Sequence, residues 1–277
     1  MVEGHDTLRG SGSVAVAGPQ MGRHGLVTDP VSISVLGGFE VRLGDAALPV
    51  PTGLPSQGVK FVVANGGRVH SEALIDALWP DASIDDGRKG VRNLLSRLSR
   101  SGAAVLVRDG GAIRVADAVS IDALSFQAAA DRVLMDASRP GAAEGARFAL
   151  ARYRGEFLPD DRYCDWAVAP RERLRRRQLA LIDLLAADAR RRGEPLEAVS
   201  ILELAIEVEP EDEIRYLEAA ELLIVAGRRA RAAVFMTRAR QVLRDHGLLP
   251  GDSWNMLQRQ LHEVHRPSSD VEVDAGR

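Results

Sequence analysis

The chain has 277 residues, of which 45% are hydrophobic and only 4% aromatic, and its formal net charge is −3. This length suffices for two modest domains, each with its own core, and the aliphatic bias favours helices. A single cysteine excludes an internal disulfide, and no apolar run reaches the length of a membrane span. We therefore expect a cytoplasmic protein that makes no contact with membranes. Residues 1–29 and 266–277 lack periodicity and are predicted to be disordered tails.

Alternating patterns after residue 30 predict strands. Apolar residues occupy every second position from Val31 to Val35 and again from Phe39 to Leu43, on either side of two glycines. This is the pattern of a β-hairpin.

Helical spacing follows the hairpin. Residues 59–64 form a short apolar stretch, residues 71–78 a second helix with Ser71 as its N-cap, and residues 86–100 a third helix with Asp85 and Asp86 at its start. A second hairpin turns at Asp109-Gly110-Gly111. Strands, three helices and a hairpin, in this order, predict an α+β winged helix-turn-helix domain over residues 30–118.

The third helix has one apolar and one basic face. Its apolar residues recur with the spacing i, i+3, i+4, i+7, which indicates a buried side. Cations and small polar groups occupy the other side, and no acid follows Asp86. Arg and Lys can bind phosphates or guanine, and Asn can pair with adenine in the major groove. The pattern favours a DNA-recognition helix, and a basic helix face exposed to solvent is the alternative.

The second hairpin places Arg108 and Arg114 on either side of its turn, where a wing would contact adjacent phosphates. An ordinary surface hairpin would look the same. Together with the third helix, it completes the set of candidate DNA-contacting residues. They are Lys89, Arg92, Asn93, Ser96, Arg97, Arg100, Arg108 and Arg114.

The rest of the chain predicts only helices, at residues 122–136, 141–154, 166–192, 195–209, 212–226, 229–245 and 252–264. A period of 34 relates several of their small residues: Gly193 to Gly227, Ala186 to Ala220, Ala198 to Ala232, and Ala205 to Ala239. This period is typical of tetratricopeptide-like helix pairs. We therefore predict an all-α, tetratricopeptide-like interaction domain over residues 119–265.

Several motifs carry a family resemblance. They are Ser34-Val-Leu-Gly-Gly-Phe-Glu-Val41, Gly67-Arg-Val-His-Ser-Glu-Ala-Leu-Ile-Asp-Ala-Leu-Trp79, residues 87–100, Tyr153-Arg-Gly-Glu-Phe-Leu-Pro159, Asp165-Trp166, Arg171-Glu-Arg-Leu174 and Leu243-Arg-Asp-His-Gly-Leu-Leu-Pro-Gly251. In this order they resemble the SARP-type regulators of actinobacteria, which join an OmpR-type winged helix to a bacterial transcriptional activator domain. The resemblance implies a transcriptional activator in the nucleoid, with double-stranded DNA and RNA polymerase as partners and a possible homodimer on DNA.

Two departures from the family pattern favour an alternative. In the family, a basic cluster leads into the first helix. Residues 54–58 stand in its place here, which predicts a shortened helix. In addition, Gly90 lies inside the recognition helix. The alternative is a protein-interaction adaptor whose winged helix no longer binds DNA. No catalytic, metal-binding or phosphate-loop motif is evident, so we expect neither an enzyme nor a bound cofactor or metal.

Overall fold

The computed structural model describes residues 30–263. Its first part contains, in chain order, β1 (Val31–Ser34), β2 (Glu40–Leu43), β3 (Ala46–Ala47), α1 (Leu54–Ala64), β4 (Arg68–His70), α2 (Ser71–Leu78), α3 (Ile84–Arg100), β5 (Leu106–Asp109), β6 (Ala112–Val115) and β7 (Val119–Ile121). Helices follow: α4 (Asp122–Leu134), α5 (Ala142–Leu150), α6 (Asp165–Arg191), α7 (Pro195–Val208), α8 (Glu213–Val225), α9 (Arg229–Asp245) and α10 (Asp252–Glu263). The predicted fold class, a winged helix-turn-helix followed by a helical domain, is confirmed. The predicted tails, residues 1–29 and 266–277, lie outside the described residues.

Two small sheets organise the first part. One has the strand order β3-β2-β1-β7, and the other, which contains the wing, has the order β4-β6-β5. Ile33 at the centre of β1 pairs with Val41 in antiparallel β2 and with Ile121 in parallel β7. The sequence did not predict β4 or β7, each of three residues. Because of β7, the first sheet continues past residue 118, where we placed the boundary between the domains.

The first helix contains residues 54–58. α1 begins at Leu54 and runs for 11 residues, with Pro55 in its first turn. Proline is tolerated there because the first N–H groups of a helix have no partner within the helix. Residues 54–58 are therefore the first turns of α1, which begins five residues before the predicted apolar stretch 59–64, and none of them is basic.

Two glycines let α2 and α3 approach each other closely. A Cβ atom on Gly90 would lie 2.9 Å from the Trp79 ring, and one on Gly87 would overlap Ile75. Glycine lowers the intrinsic stability of a helix by roughly 1 kcal/mol relative to alanine. At these positions it makes room for α2, so Gly90 is explained by packing and does not indicate a degenerate recognition helix.

One hydrophobic core extends through both parts of the chain. It contains Ile33, Leu74 and Leu98 of the winged helix together with Phe126 and Leu181 of the helical part. The expectation of a separate core for each domain was therefore wrong. The later helices add smaller clusters between α7, α8, α9 and α10.

Backbone pairing joins the two parts beside β1. The Leu158 N–H donates to the Val35 carbonyl at 2.8 Å, and the Asp122 carboxylate accepts the N–H groups of Val35 (3.0 Å) and Leu36 (3.2 Å). Burial raises the pKa of the Asp122 carboxyl, although these donors favour its charged form. The first turn of α4 is thereby attached to the winged-helix sheet.

Side chains of α1 make a second junction with the helical part. Lys60 and Asp161 form a largely buried ion pair at 2.7 Å, and the Gln57 amide donates to the same carboxylate at 3.1 Å. Phe61 packs edge-to-face on Trp166, with 5.8 Å between ring centroids. The winged helix and α6 are therefore held together by polar and apolar contacts.

The 34-residue period corresponds to stacked helix pairs. α6 to α9 pack each on the next. The six alanines of the repeat are at most 1% exposed: Ala186, Ala198, Ala205, Ala220, Ala232 and Ala239. Gly193 and Gly227 adopt the left-handed conformation just after α6 and α8 (φ 77° and 71°). The tetratricopeptide-like arrangement is confirmed. Within residues 30–263, no helix is both long and apolar enough to cross a membrane.

Candidate nucleic-acid interface

α3 begins with a reciprocal cap. The Ser83 hydroxyl accepts the Asp86 N–H at 3.2 Å and donates to the Asp86 carboxylate at 2.8 Å. The Ser83 hydroxyl, and then Lys89, lower the pKa of the Asp86 carboxyl. The cap starts the helix at Ile84, two residues earlier than predicted, and keeps its two acids in the first turn, where negative charge suits the helix dipole.

The predicted faces of α3 are the observed ones. Val91, Leu94 and Leu98 are at most 2% exposed and pack into the core. The exposed residues between Gly87 and the end of the helix are polar or basic. They are Arg88, Lys89, Arg92, Asn93, Ser96, Arg97, Ser99 and Arg100. All six candidates on this helix therefore lie on its solvent side.

The exposed side chains of α3 differ in whether they already have a polar partner. Lys89 contacts the Asp86 carboxylate at 3.0 Å, and Arg100 donates to the Ser96 carbonyl at 3.3 Å. Within the described part of the chain, Arg92, Asn93 and Arg97 have no side-chain hydrogen bond or ion pair. Their polar groups are available to an external partner.

Of the two candidates on the wing, only one is exposed and has no acidic partner among residues 30–263. Arg108 on β5 is exposed and pairs with no acid of residues 30–263. Arg114 on β6 is 27% exposed and contacts Asp117 at 2.7 Å and Asp109 at 3.5 Å. Its charge is neutralised within the hairpin, so its geometry suits a structural role better than the predicted phosphate contact.

A cleft of about 300 Å³ between α2, α3 and the wing adds residues that the sequence interpretation missed. Arg88 and Arg108 line it, as does Ser71, whose hydroxyl is buried without a hydrogen-bond partner. Ser71 is the first residue of α2 and not its N-cap, which is His70. Arg88 could have been found from its spacing, since it precedes Arg92 by one helical turn.

Residues 171–177 of α6 form a second basic stretch, in which arginines bond to other elements of the protein. Arg171 donates to the carbonyls of Phe157 and Leu158, both at 3.1 Å, and Arg177 forms a two-pronged ion pair with Asp131 at 2.7 and 3.2 Å. These arginines connect elements of the helical part and are not available as a second nucleic-acid surface.

Comparison with protein families identifies the helical part. The model of the bacterial transcriptional activator domain matches residues 121–262. The match begins where β7 ends and α4 follows, and it ends within α10. A search of curated proteins found no sequence that matches this chain.

The fold also resembles a solved structure, that of Mycobacterium tuberculosis EmbR in complex with a low-affinity phosphopeptide. The TM-score is 0.66 at 19% sequence identity, over 86% of this chain. The similar region spans 66% of the EmbR chain, just under two thirds of its length. At this identity the likeness establishes a shared fold.

Proposed function

Since this chain belongs to the SARP-type family of transcriptional regulators, which carry the bacterial transcriptional activator domain, we propose that it binds double-stranded DNA sequence-specifically and recruits RNA polymerase to promoters. In this proposal residues 30–118 bind DNA, and residues 119–265 contact the polymerase or a second copy of the chain.

The exposed face of α3 is the observation that carries the proposal. It presents Arg92, Asn93 and Arg97, whose side chains have no polar partner among residues 30–263, on a helix whose opposite face is anchored in the core. A helix of this width fits the major groove, where arginine recognises guanine and asparagine recognises adenine. Like charges this close on one helix repel one another, and a polyanion would relieve that repulsion.

The wing and the cleft beside α2 would fix the position of this helix on the duplex. Arg88 of α3 and Arg108 of the wing both line the cleft and can pair with a phosphate there. Contacts of this kind set register and contribute affinity without reading sequence. We accordingly add Arg88 to the proposed interface and remove Arg114 from it.

The test is a fluorescence anisotropy titration of the full chain on the duplex upstream of its own gene and on a shuffled duplex. We expect tighter binding to the upstream duplex, and Asn93→Ala should reduce that preference by about tenfold, because a lost bidentate base contact costs roughly 1–3 kcal/mol. Asn255→Ala on α10 is the matched control, since Asn255 is also an exposed helical asparagine. If neither duplex is bound, or Asn93→Ala weakens both duplexes equally, the proposed reading face is wrong.

Recruitment of polymerase is tested separately, by run-off transcription with purified RNA polymerase on the same upstream DNA. We expect the full chain to increase the transcript yield. Binding of DNA without any increase would leave the DNA-binding proposal standing and contradict activation by recruitment.

A further inference from the structure

A cleft lies where the winged helix meets the helical part. Its volume is about 590 Å³, within the range of small-molecule sites. Phe61 and Asn65 at the end of α1 line it, together with Leu124 of α4 and with Trp166 and Arg173 of α6, and the Phe61 and Trp166 rings contact each other. A ligand here would contact both parts of the protein at once.

The charge that lines the cleft is positive. Among the described residues, Arg173 is its only formally charged lining residue, and no aspartate or glutamate lines it. Within residues 30–263 the Arg173 guanidinium has no ion pair, in contrast to Arg171, Arg175 and Arg177 on the same helix. An anion in the cleft would therefore meet an uncompensated cation.

The wall formed by α6 also offers a free acceptor. Pro170 lies inside this helix and lines the cleft together with Trp166. Proline has no N–H, so the carbonyl of Trp166, four residues earlier, lacks its helical donor. The Asn65 amide nitrogen is already used, since it donates to the Phe61 carbonyl at 2.8 Å, which leaves its oxygen as another acceptor.

We propose that this cleft binds a small anionic aromatic molecule, whose ring packs against the joint aromatic surface of Phe61 and Trp166 and whose carboxylate or sulfonate pairs with Arg173. The aromatic and aliphatic walls bury the ring, and the guanidinium supplies a charge-assisted hydrogen bond. Free acceptors on the walls suit a ligand that carries a hydroxyl or N–H donor. The site does not depend on DNA binding, so the failure of one proposal leaves the other unaffected.

Two dyes, one with a charged sulfonate group and one without it, test the site in the full chain. The anionic dye ANS and its uncharged analogue N-phenylnaphthylamine share the same aromatic rings, and both fluoresce when buried. We expect saturable binding of ANS, weakened about tenfold by Arg173→Ala, with binding of the uncharged dye unchanged. Arg176→Ala is the matched control, because Arg176 is exposed on α6 and does not line the cleft.

A second pair of variants tests the location. Ala169→Leu places a larger side chain into the cleft and should abolish binding of both dyes, whereas Ala128→Leu, on the exposed side of α4, should leave both unchanged. The proposal would be overturned by absence of saturable ANS binding to the wild type. It would also be overturned by equal binding to wild type and Arg173→Ala. If the cleft is instead an interface between two copies, Ala169→Leu would lower the sedimentation coefficient without changing dye fluorescence.

Discussion

Two basic segments of this protein look alike in sequence and differ in structure. Residues 88–100 of α3 and residues 171–177 of α6 each crowd several cations into a few turns of helix. On α3, Arg92 and Arg97 have no acidic partner in the described part of the chain. On α6, Arg171, Arg175 and Arg177 are each paired with a carboxylate. The difference comes from which elements surround each helix.

The surroundings of the two helices explain this difference. α6 is flanked by segments that supply acids from distant parts of the chain, such as Asp131 on α4 and Glu209 after α7. α3 packs on α1 and α2 through apolar side chains and glycines, and its own two acids remain in the first turn. A cluster of arginines therefore indicates a polyanion-binding surface only where the fold leaves it without acids. The following predictions test this contrast.

The largest expected effect is on the salt dependence of DNA binding. If Arg88, Lys89, Arg92, Arg97, Arg100 and Arg108 each contact phosphate or base, the plot of log affinity against log salt should have a slope of about −5.4. Affinity should then fall about 2,000-fold between 50 and 200 mM salt. An anisotropy titration at several salt concentrations measures the slope. A slope near zero would show that the cations of α3 do not meet the phosphate backbone.

Substitutions in the two basic segments should affect stability in the reverse order: the loss should be large on α6 and small on α3. Arg171→Ala removes a largely buried guanidinium that donates to two carbonyls, and we expect the free energy of unfolding to fall by about 2–3 kcal/mol. Arg92→Ala removes an exposed, unpartnered side chain and should change stability by less than about 0.5 kcal/mol. Urea unfolding of both variants measures the difference. Equal losses would mean that the two basic segments do not differ as described.

The helical repeat should be sensitive to added volume at its close contacts. Ala239→Leu overpacks a buried position of α9 and should lower stability by roughly 1–3 kcal/mol. Ala233→Leu, exposed on the same helix, should be nearly neutral because leucine is almost as good a helix former. Ala239 belongs to a cluster separate from the one that holds α3, so DNA affinity of the folded protein should not change. Thermal melts and anisotropy check both parts, and identical melting of the two variants would contradict the repeat packing.

The smallest effect concerns the cap of α3. The Asp86 carboxyl should titrate below the ordinary aspartate value of about 3.9, and Ser83→Ala should raise its pKa because the hydroxyl is the main stabilising donor. Since the folded pKa is the lower one, the cap's contribution to stability is present above the unfolded value and is lost as the pH falls through the folded value. NMR titration of the carboxyl carbon measures the shift. An unchanged value in Ser83→Ala would assign the shift to Lys89 instead.

Apart from β4 and β7, the order of strands and helices was predictable from the sequence, as were the two faces of α3 and the 34-residue repeat. Each depends on periodicity within one segment, such as the spacing of Val91, Leu94 and Leu98, and burial follows that spacing directly. The candidate residues of α3 could therefore be placed on its exposed side without a structure.

Only the tertiary structure decided which cations are free and how the two parts are joined. Arg114 is neutralised by Asp109 and Asp117, and Arg177 by Asp131, which lies 46 residues away along the chain. Ion pairs and shared cores depend on distances in space, which local periodicity does not encode. The same holds for the three-residue strands β4 and β7, since strands this short exist only through their partners, and for Gly90, which Trp79 of the neighbouring helix requires.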